Sequence, residues 1–348
     1  MSTGRARLVT RPTPVDGKWS RDGVARTLGG MTDVDSWEAV ADGHGLASTG
    51  DALAAGLTKR DLAALVKDGR LVHLGRGWYS LPLLGSTDDV TTWERRRVLH
   101  AARARAAVRA VGGRASASHH SALVLHDLPA FAADLRQVHL TRVDDTLSRR
   151  RSGLTVHGRV LGASMHEGLI DVATAVVQTG LENGPMAALI AADAALHRAL
   201  LDSGQLTEAG HRVVGPRSTG VRSTLRYADS RAESPGETRL RWALRLMGYD
   251  AVPQFRIVDS SFVAVVAFLI AEHRVAVEFD DFVTYGRRSP FMLGAQPADV
   301  VAAEKVREDH VRELDYGFVR VTWPDLDAIP LLHRRIDAVV QRSARRAG

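Results

Sequence analysis

The 348-residue chain contains no cysteine. This excludes disulfides, thiol nucleophiles and cysteine-based zinc sites, and it fits a reducing compartment. Long apolar runs are also missing. The most apolar stretch, residues 262–271, covers about ten residues, against the roughly 20 needed to span a bilayer. The first 30 residues carry five arginines and no apolar segment, so no signal peptide is expected and the chain reads as cytoplasmic. No glycine-rich phosphate loop follows a strand pattern; Gly75-Arg76-Gly77 reads as a turn. The fourteen histidines form no HExxH motif and no ligand-like cluster with carboxylates, so no metal and no cofactor are expected.

Apolar residues make up 45% of the chain and charged residues 25%, which places it among soluble globular proteins with real cores. Its length calls for two or three domains. Lys and Arg total 46 against 40 for Asp and Glu, and the pI of about 10.0 suits a polyanionic partner. An Arg- and Ala-rich composition also follows from GC-rich coding, and composition does not separate the two.

Residues 1–34 read as a disordered basic arm. Trp37, Val40 and Ala41 then share a helical face that Gly43–Gly45 end. Ser48 or Thr49 can cap a short helix that Gly56 closes, and Thr58 caps a second helix over residues 59–68, with Leu62, Leu65 and Val66 at core spacing. Residues 70–81 alternate around Gly-Arg-Gly and predict a hairpin. Short helix, tight turn, helix and hairpin is the order of a winged helix-turn-helix. Such a helix enters the major groove with its N-terminal residues foremost. Here those are Thr58, Lys59 and Arg60, with the small Ala63 and Ala64 a turn on. Lys67 and Arg70 suit phosphates, and Arg76 at the wing tip suits the minor groove or backbone. The competing reading is a protein-binding winged helix whose charges are merely solvated.

The expected architecture is multi-domain α+β. The winged helix spans 35–85 and a mixed α+β domain spans 86–205. Residues 202–232, polar and dotted with glycine, link to an α/β domain at 230–348. The middle domain carries helices at 92–111, 116–125, 168–179 and 185–201, and strands at 137–141 and 154–157. The helix over 185–201 is apolar nearly all round and predicts burial. Its Asp193 and His197 stand one turn apart, as a satisfied internal hydrogen bond would require. Arg149-Arg150-Arg151 reads as a basic loop, solvated by default and a phosphate contact as the sharper option, and His310 as a surface residue of an amphipathic helix.

Residues 53–79, from Leu-Ala-Ala-Gly-Leu-Thr-Lys-Arg to Gly-Arg-Gly-Trp-Tyr, resemble the N-terminal domain of AbiEi-type antitoxins of type IV toxin–antitoxin systems. So do Ser118-His-His-Ser-Ala-Leu-Val-Leu-His-Asp-Leu-Pro and Val138-His-Leu-Thr, and the resemblance covers residues 35–200. It implies a promoter-binding repressor, acting in phage defence, that counteracts a nucleotidyltransferase toxin encoded beside it. His119 and His120 lie in this stretch and receive no chemistry.

The C-terminal part resembles the very-short-patch-repair-like branch of the PD-(D/E)xK nuclease fold, a restriction-endonuclease-like α/β domain. The matching runs are Glu233-Ser-Pro-Gly-Glu-Thr-Arg-Leu-Arg, Arg274-Val-Ala-Val-Glu-Phe-Asp, Glu304-Lys-Val-Arg-Glu-Asp and Val319-Arg-Val-Thr-Trp-Pro-Asp-Leu. The resemblance implies carboxylates gathered around Mg²⁺ to activate a water, with Glu237, Glu278 and Asp280 as vestigial catalytic candidates. Glu278 and Asp280 alternate along a strand and share a face. Three positions depart from the pattern. Ala267 stands where the resemblance implies an aspartate, Asp281 follows Asp280 in place of glycine, and Thr284 replaces a basic residue. Glu237 also fits a capping box, Ser234-Pro235-Gly236-Glu237. The expectation is an inactive nuclease fold, with Mg²⁺ needed only if the site works.

The leading functional expectation is therefore a DNA-binding antitoxin and autorepressor. Its partners would be its own promoter and a toxin, with a dimer as one arrangement on DNA. A Mg²⁺-dependent endonuclease and a regulator without a toxin are the alternatives.

Overall fold

A computed structural model describes residue 37 and residues 40–83, 91–259, 262–280 and 297–347. The basic arm, Asp281 and Thr284 lie outside them, as does the side chain of Glu304. The protein is mixed α/β, and its described residues form three sheets.

The first sheet is small, with strand order β1-β3-β2. It comprises β1 (Leu46–Ser48), β2 (Val72–Gly75) and β3 (Trp78–Ser80), all antiparallel. Helices α1 (Thr49–Ala54) and α2 (Lys59–Lys67) sit between β1 and β2 in the chain. Both begin with complete capping boxes, Ser48 with Asp51 and Thr58 with Asp61. Each box satisfies orphan N–H groups at the helix start and fixes where the helix begins. Trp37, Ala47, Ala52, Leu57, Leu62 and Leu71 form the core beneath them. The wing turns through Gly75, Arg76 and Gly77, all with positive φ. It is tied to α1 by Thr49, whose N–H and Oγ1 both donate to the Gly77 carbonyl, at 2.7 and 3.0 Å. Strand β1 was not anticipated, because its three residues Leu-Ala-Ser carry too short an alternation to separate from a cap.

Helix α3 (Thr92–Ala110) joins the first sheet to the second. Its alanines face two ways. Ala102 and Ala106 pack against Leu46 and Leu74 of the winged unit, while Ala104 packs against Val138, Leu140 and Leu154 of the middle sheet. Small side chains on two faces let one helix serve two layers.

The middle sheet has order β6-β7-β5-β4-β9-β8. Its strands are β4 (Ala115–Ala117), β5 (Val138–Arg142), β6 (Arg149–Arg151), β7 (Leu154–His157), β8 (Met165–His166) and β9 (Leu169–Ile170). Helices α4 (His119–Leu125), α5 (Val172–Asn183) and α6 (Pro185–His197) follow their strands. The expected basic loop at Arg149 to Arg151 is instead exposed edge strand β6, paired antiparallel with β7. Helix α6 is buried over most of its length, as its all-round apolar sequence requires.

The stretch read as a linker is helical. Helices α7 (Ser203–Arg212) and α8 (Ser218–Leu225) bury Leu206, Ala209, Val221 and Leu225 in one core with α4, α5 and α6. Sequence polarity misled here because only one stripe of each short helix is apolar.

The last sheet, β10-β11-β12-β13, follows helix α9 (Pro235–Leu246). Strands β10 (Ala251–Asp259), β11 (Phe262–Ile270) and β12 (Val275–Phe279) form an antiparallel meander. Helix α10 (Pro297–Glu313) precedes β13 (Gly317–Val321), which lies parallel to β12. Helix α11 (Trp323–Asp327) and helix α12 (Ile329–Ala347) complete the chain. One face of the sheet packs Phe268, Ile270, Val275 and Val277 on Leu240 and Leu244 of α9 and Leu332 and Ile336 of α12. Ala264, Val266 and Ala276 pack with Val311 of α10 on the other.

Candidate nucleic-acid interface and buried polar clusters

The interface starts from the Thr58 cap. Thr58 Oγ1 accepts the Asp61 N–H at 3.2 Å, and the Asp61 carboxylate accepts the Thr58 N–H at 2.8 Å. The Thr58 hydroxyl, which donates to the same carboxylate, and then the Thr58 N–H hold the Asp61 carboxyl below its ordinary range. Leu62 turns inward at 1% exposure, and Leu65 and Val66 are half-buried. The opposite face, with Thr58, Lys59, Arg60, Ala63, Ala64 and Lys67, is exposed. Arg76 is exposed at the wing tip with φ of 50°. A non-glycine residue in this left-handed region is uncommon and costs on the order of 1 kcal/mol. The flanking glycines carry the remaining positive φ values of the turn, so the strain falls on the one residue whose long cation projects. Arg70 is half-buried at the far end of α2.

Beside the wing, Arg76, Arg103 of α3 and Arg136 border one cleft of ≈ 320 Å³ floored by Trp78, Val138 and Leu154. Arg136 is paired with Asp134 at 2.9 Å. Strand β6 adds three exposed arginines, 149 to 151. The cleft thus sets cations of the wing, of α3 and of the middle domain along one border.

The three carboxylates of the C-terminal part are in a different condition. Glu237 is at the third position of α9. It accepts the Glu233 N–H at 3.0 Å and Gln254 Nε2 at 3.2 Å, and burial pushes its carboxyl up. Glu278 is 8% exposed and is held by the Arg307 guanidinium at 2.8 Å. Asp280 faces Arg320 at 3.6 Å, and Arg320 also pairs with Glu308 at 3.0 Å. Glu278 and Asp280 share the α10 side of the sheet, where guanidinium groups stand against them. Glu237 belongs to α9, which packs on the opposite face. Ala267, on β11 next to Phe268, is half-buried and offers no ligand. Among the described residues, Glu237, Glu278 and Asp280 do not form a group with ligand atoms close enough to share one ion.

Asp193 and His197 do not bond each other. Asp193, 1% exposed, accepts from Arg241 at 2.6 Å, from Thr238 Oγ1 at 2.8 Å and from the Asp229 N–H at 2.8 Å. Burial pushes its carboxyl up while these donors pull it back. His197 bonds the Ser230 carbonyl at 2.9 Å. The pair is structural, but its partners fasten α6 to α9 and to the segment before it.

A group that received no chemistry from the sequence is gathered by the fold. His119, His139 and His157 present ring nitrogens within 4.8 Å of one another. Strands β5 and β7 run parallel with His139 opposite Thr155 and Thr141 opposite His157, so His139 and His157 lie on one face. His119 reaches that face from the first residue of α4, with φ of 51°. His139 Nδ1 and His157 Nε2 are 2.9 Å apart, and the His119 and His157 rings stack at 4.0 Å. Burial, then the neighbouring histidines, drive His139 down to about 2 and hold His119 well below the ordinary imidazole range. His157 is lowered as well, chiefly by burial. All three are neutral at pH 7. The expected strand over 137–141 carries His139 and Thr141 on one side and Val138 and Leu140 on the other. The His139 and Thr141 side is buried, and pairing between distant strands supplies the information that local alternation lacks.

Compared with known proteins, residues 38–82 match a family model described as "Transcriptional regulator, AbiEi antitoxin". No curated protein matches the chain. The matched segment is the winged unit, and no helix among the described residues is long and apolar enough to cross a membrane.

Proposed function

We propose that the chain binds duplex DNA through its winged unit and acts as a transcriptional autorepressor of the antitoxin kind. The observation that carries this reading is the exposed cationic face of α2. Lys59, Arg60 and Lys67 project from a helix whose start is fixed by the Thr58 cap, beside a wing that holds Arg76 forward. Small Ala63 and Ala64 between the cations let such a helix lie deep in a major groove. The match to an antitoxin regulator over residues 38–82 supports the same reading. On this account Arg70 and the arginines of β6 contact phosphates, the operator lies upstream of the protein's own gene, and a nucleotidyltransferase toxin is the neutralised partner.

An endonuclease reading gains no support from the carboxylates. Ala267 supplies no ligand, and Arg307 and Arg320 already neutralise the acidic pair on β12 and just beyond it. Mg²⁺ demands near-octahedral oxygen geometry, which a missing central carboxylate does not provide.

The test is a gel shift with the protein's own upstream DNA, with Mg²⁺ and with chelator. A specific shift with intact DNA under both conditions is expected. Mg²⁺-dependent cleavage would make the protein an enzyme, and no shift would leave the winged unit to a protein partner.

A further inference from the structure

We propose that His119, His139 and His157 form a binding site for one divalent first-row transition-metal ion of the zinc class, independent of the DNA interface. Three neutral imidazoles are a ligand set suited to such ions. With three histidines bound, a four-coordinate zinc keeps one position for water or another ligand. That position is approached from the side of His157, which is half-buried while His119 and His139 are buried. Zn–N bonds of about 2.0–2.1 Å place tetrahedral ligand nitrogens about 3.3 Å apart. The His139–His157 contact at 2.9 Å is already close to that spacing.

Two further buried imidazoles stand beside the three. His100 Nδ1 donates to the Leu135 carbonyl at 2.8 Å, so its Nε2 accepts from Ser121 Oγ at 2.9 Å. Ser121 Oγ in turn accepts the His139 N–H at 2.9 Å, which fixes the β5 backbone at the site. His120 Nε2 donates to the Gln137 carbonyl at 3.0 Å, and its ring also lies against the Asn183 side chain. The His120 ring lies 4.6 Å from that of His139. Five neutral imidazoles thus crowd one interior, each with one N–H and one nitrogen lone pair. A first-row metal ion is a species that takes up several imidazole lone pairs at once.

Neighbouring groups also hold the three rings in place, as metal sites require. His119 Nδ1 bonds Ser118 Oγ at 3.0 Å, which leaves Nε2 to ligate. Gln178 Oε1 accepts the His119 N–H at 3.3 Å while its Nε2 donates to Thr141 Oγ1 at 3.0 Å, bracing the left-handed residue against β5. Glu182 lies within electrostatic reach of His157 and offsets part of an ion's charge.

The experiment is calorimetric titration of untagged, chelator-stripped full-length protein with Zn²⁺, repeated with Co²⁺ while visible absorption is read. One ion per chain is expected, with a raised melting temperature. His119→Gln and His157→Gln should each weaken binding at least roughly a hundredfold, because losing a ligand costs no less than losing a supporting group. Replacement of the exposed His166 by Gln should change nothing. Binding in the wild type no tighter than in His157→Gln, or no binding at all, overturns the site. If His119→Gln fails to fold, the half-buried His157→Gln decides alone.

Discussion

The winged unit and the C-terminal sheet are both rich in charge, and both suggest nucleic-acid chemistry from sequence. They differ in what the charges are doing. On α2 and the wing, Lys59, Arg60, Lys67 and Arg76 stand exposed, and no ion pair is seen for them among the described residues. Around the C-terminal sheet, Arg307 holds Glu278, Arg320 bridges Asp280 and Glu308, Arg239 meets Asp327 and Arg335 meets Asp325. A cation already paired inside its own fold has little left to offer a phosphate. The place to look for a polyanion is therefore where cations were left unspent, and a carboxylate cluster in sequence indicates catalysis only if the fold leaves it open.

The comparison breaks first on stability. Removing a buried paired charge leaves its partner desolvated, which costs about 3–5 kcal/mol. Asp193→Ala strands Arg241 and two further donors, so its urea unfolding free energy should drop by about that much. A loss under about 1 kcal/mol would mean that the junction between α6 and α9 does not depend on this charge.

Acid should act on the buried histidines next. His100 is fully buried, and burial followed by its His120 neighbour drives it to about 4. The folded protein keeps it neutral while the unfolded chain protonates near its ordinary value of about 6.5, so stability is full above that pH and is lost as pH falls toward 4. A fall from about 6.5 to about 4 corresponds to about 3 kcal/mol. The lowered His119, His120 and His157 act in the same direction. Urea midpoints of chelated protein between pH 7 and 4 should fall steeply, and less so in His100→Gln. A flat profile would contradict a neutral, buried cluster.

Ala267→Asp is expected to do less. It restores a carboxylate on β11, but Arg307 still occupies Glu278, so calorimetry should detect no Mg²⁺ binding. Tight Mg²⁺ binding by the wild type or by this variant would show that the acidic face is open after all. The smallest effect is expected from Lys59→Ala, Arg60→Ala and Arg76→Ala combined. Melting should move by no more than about 0.5 kcal/mol-equivalent, as for surface changes without structural partners.

The same contrast explains what the sequence disclosed. Caps and turns are written within a few residues, so Ser48, Thr58, Gly56 and Gly75–Gly77 located the helices and wing of the first unit directly. The strand carrying Glu278 in the C-terminal part was equally readable from its alternation. Short strands were not: β1, β4, β8 and β9 each have two or three residues, too few for a period to show. Nor were α7 and α8 distinguishable from a linker, since their apolar residues gain meaning only against α5 and α6. The histidine site was the least visible. His119, His139 and His157 come from a helix start and two strands that pair in parallel, and no spacing in the chain announces that pairing.

The central claim is that the exposed cations of the winged unit bind DNA, and the salt dependence of duplex binding tests it most directly. Binding of the wild type to its own upstream DNA should weaken steeply with salt. The slope of log affinity against log salt should shrink by about one for each phosphate that the Lys59, Arg60 and Arg76 alanine variant no longer neutralises. An unchanged affinity and slope in that variant would contradict the account.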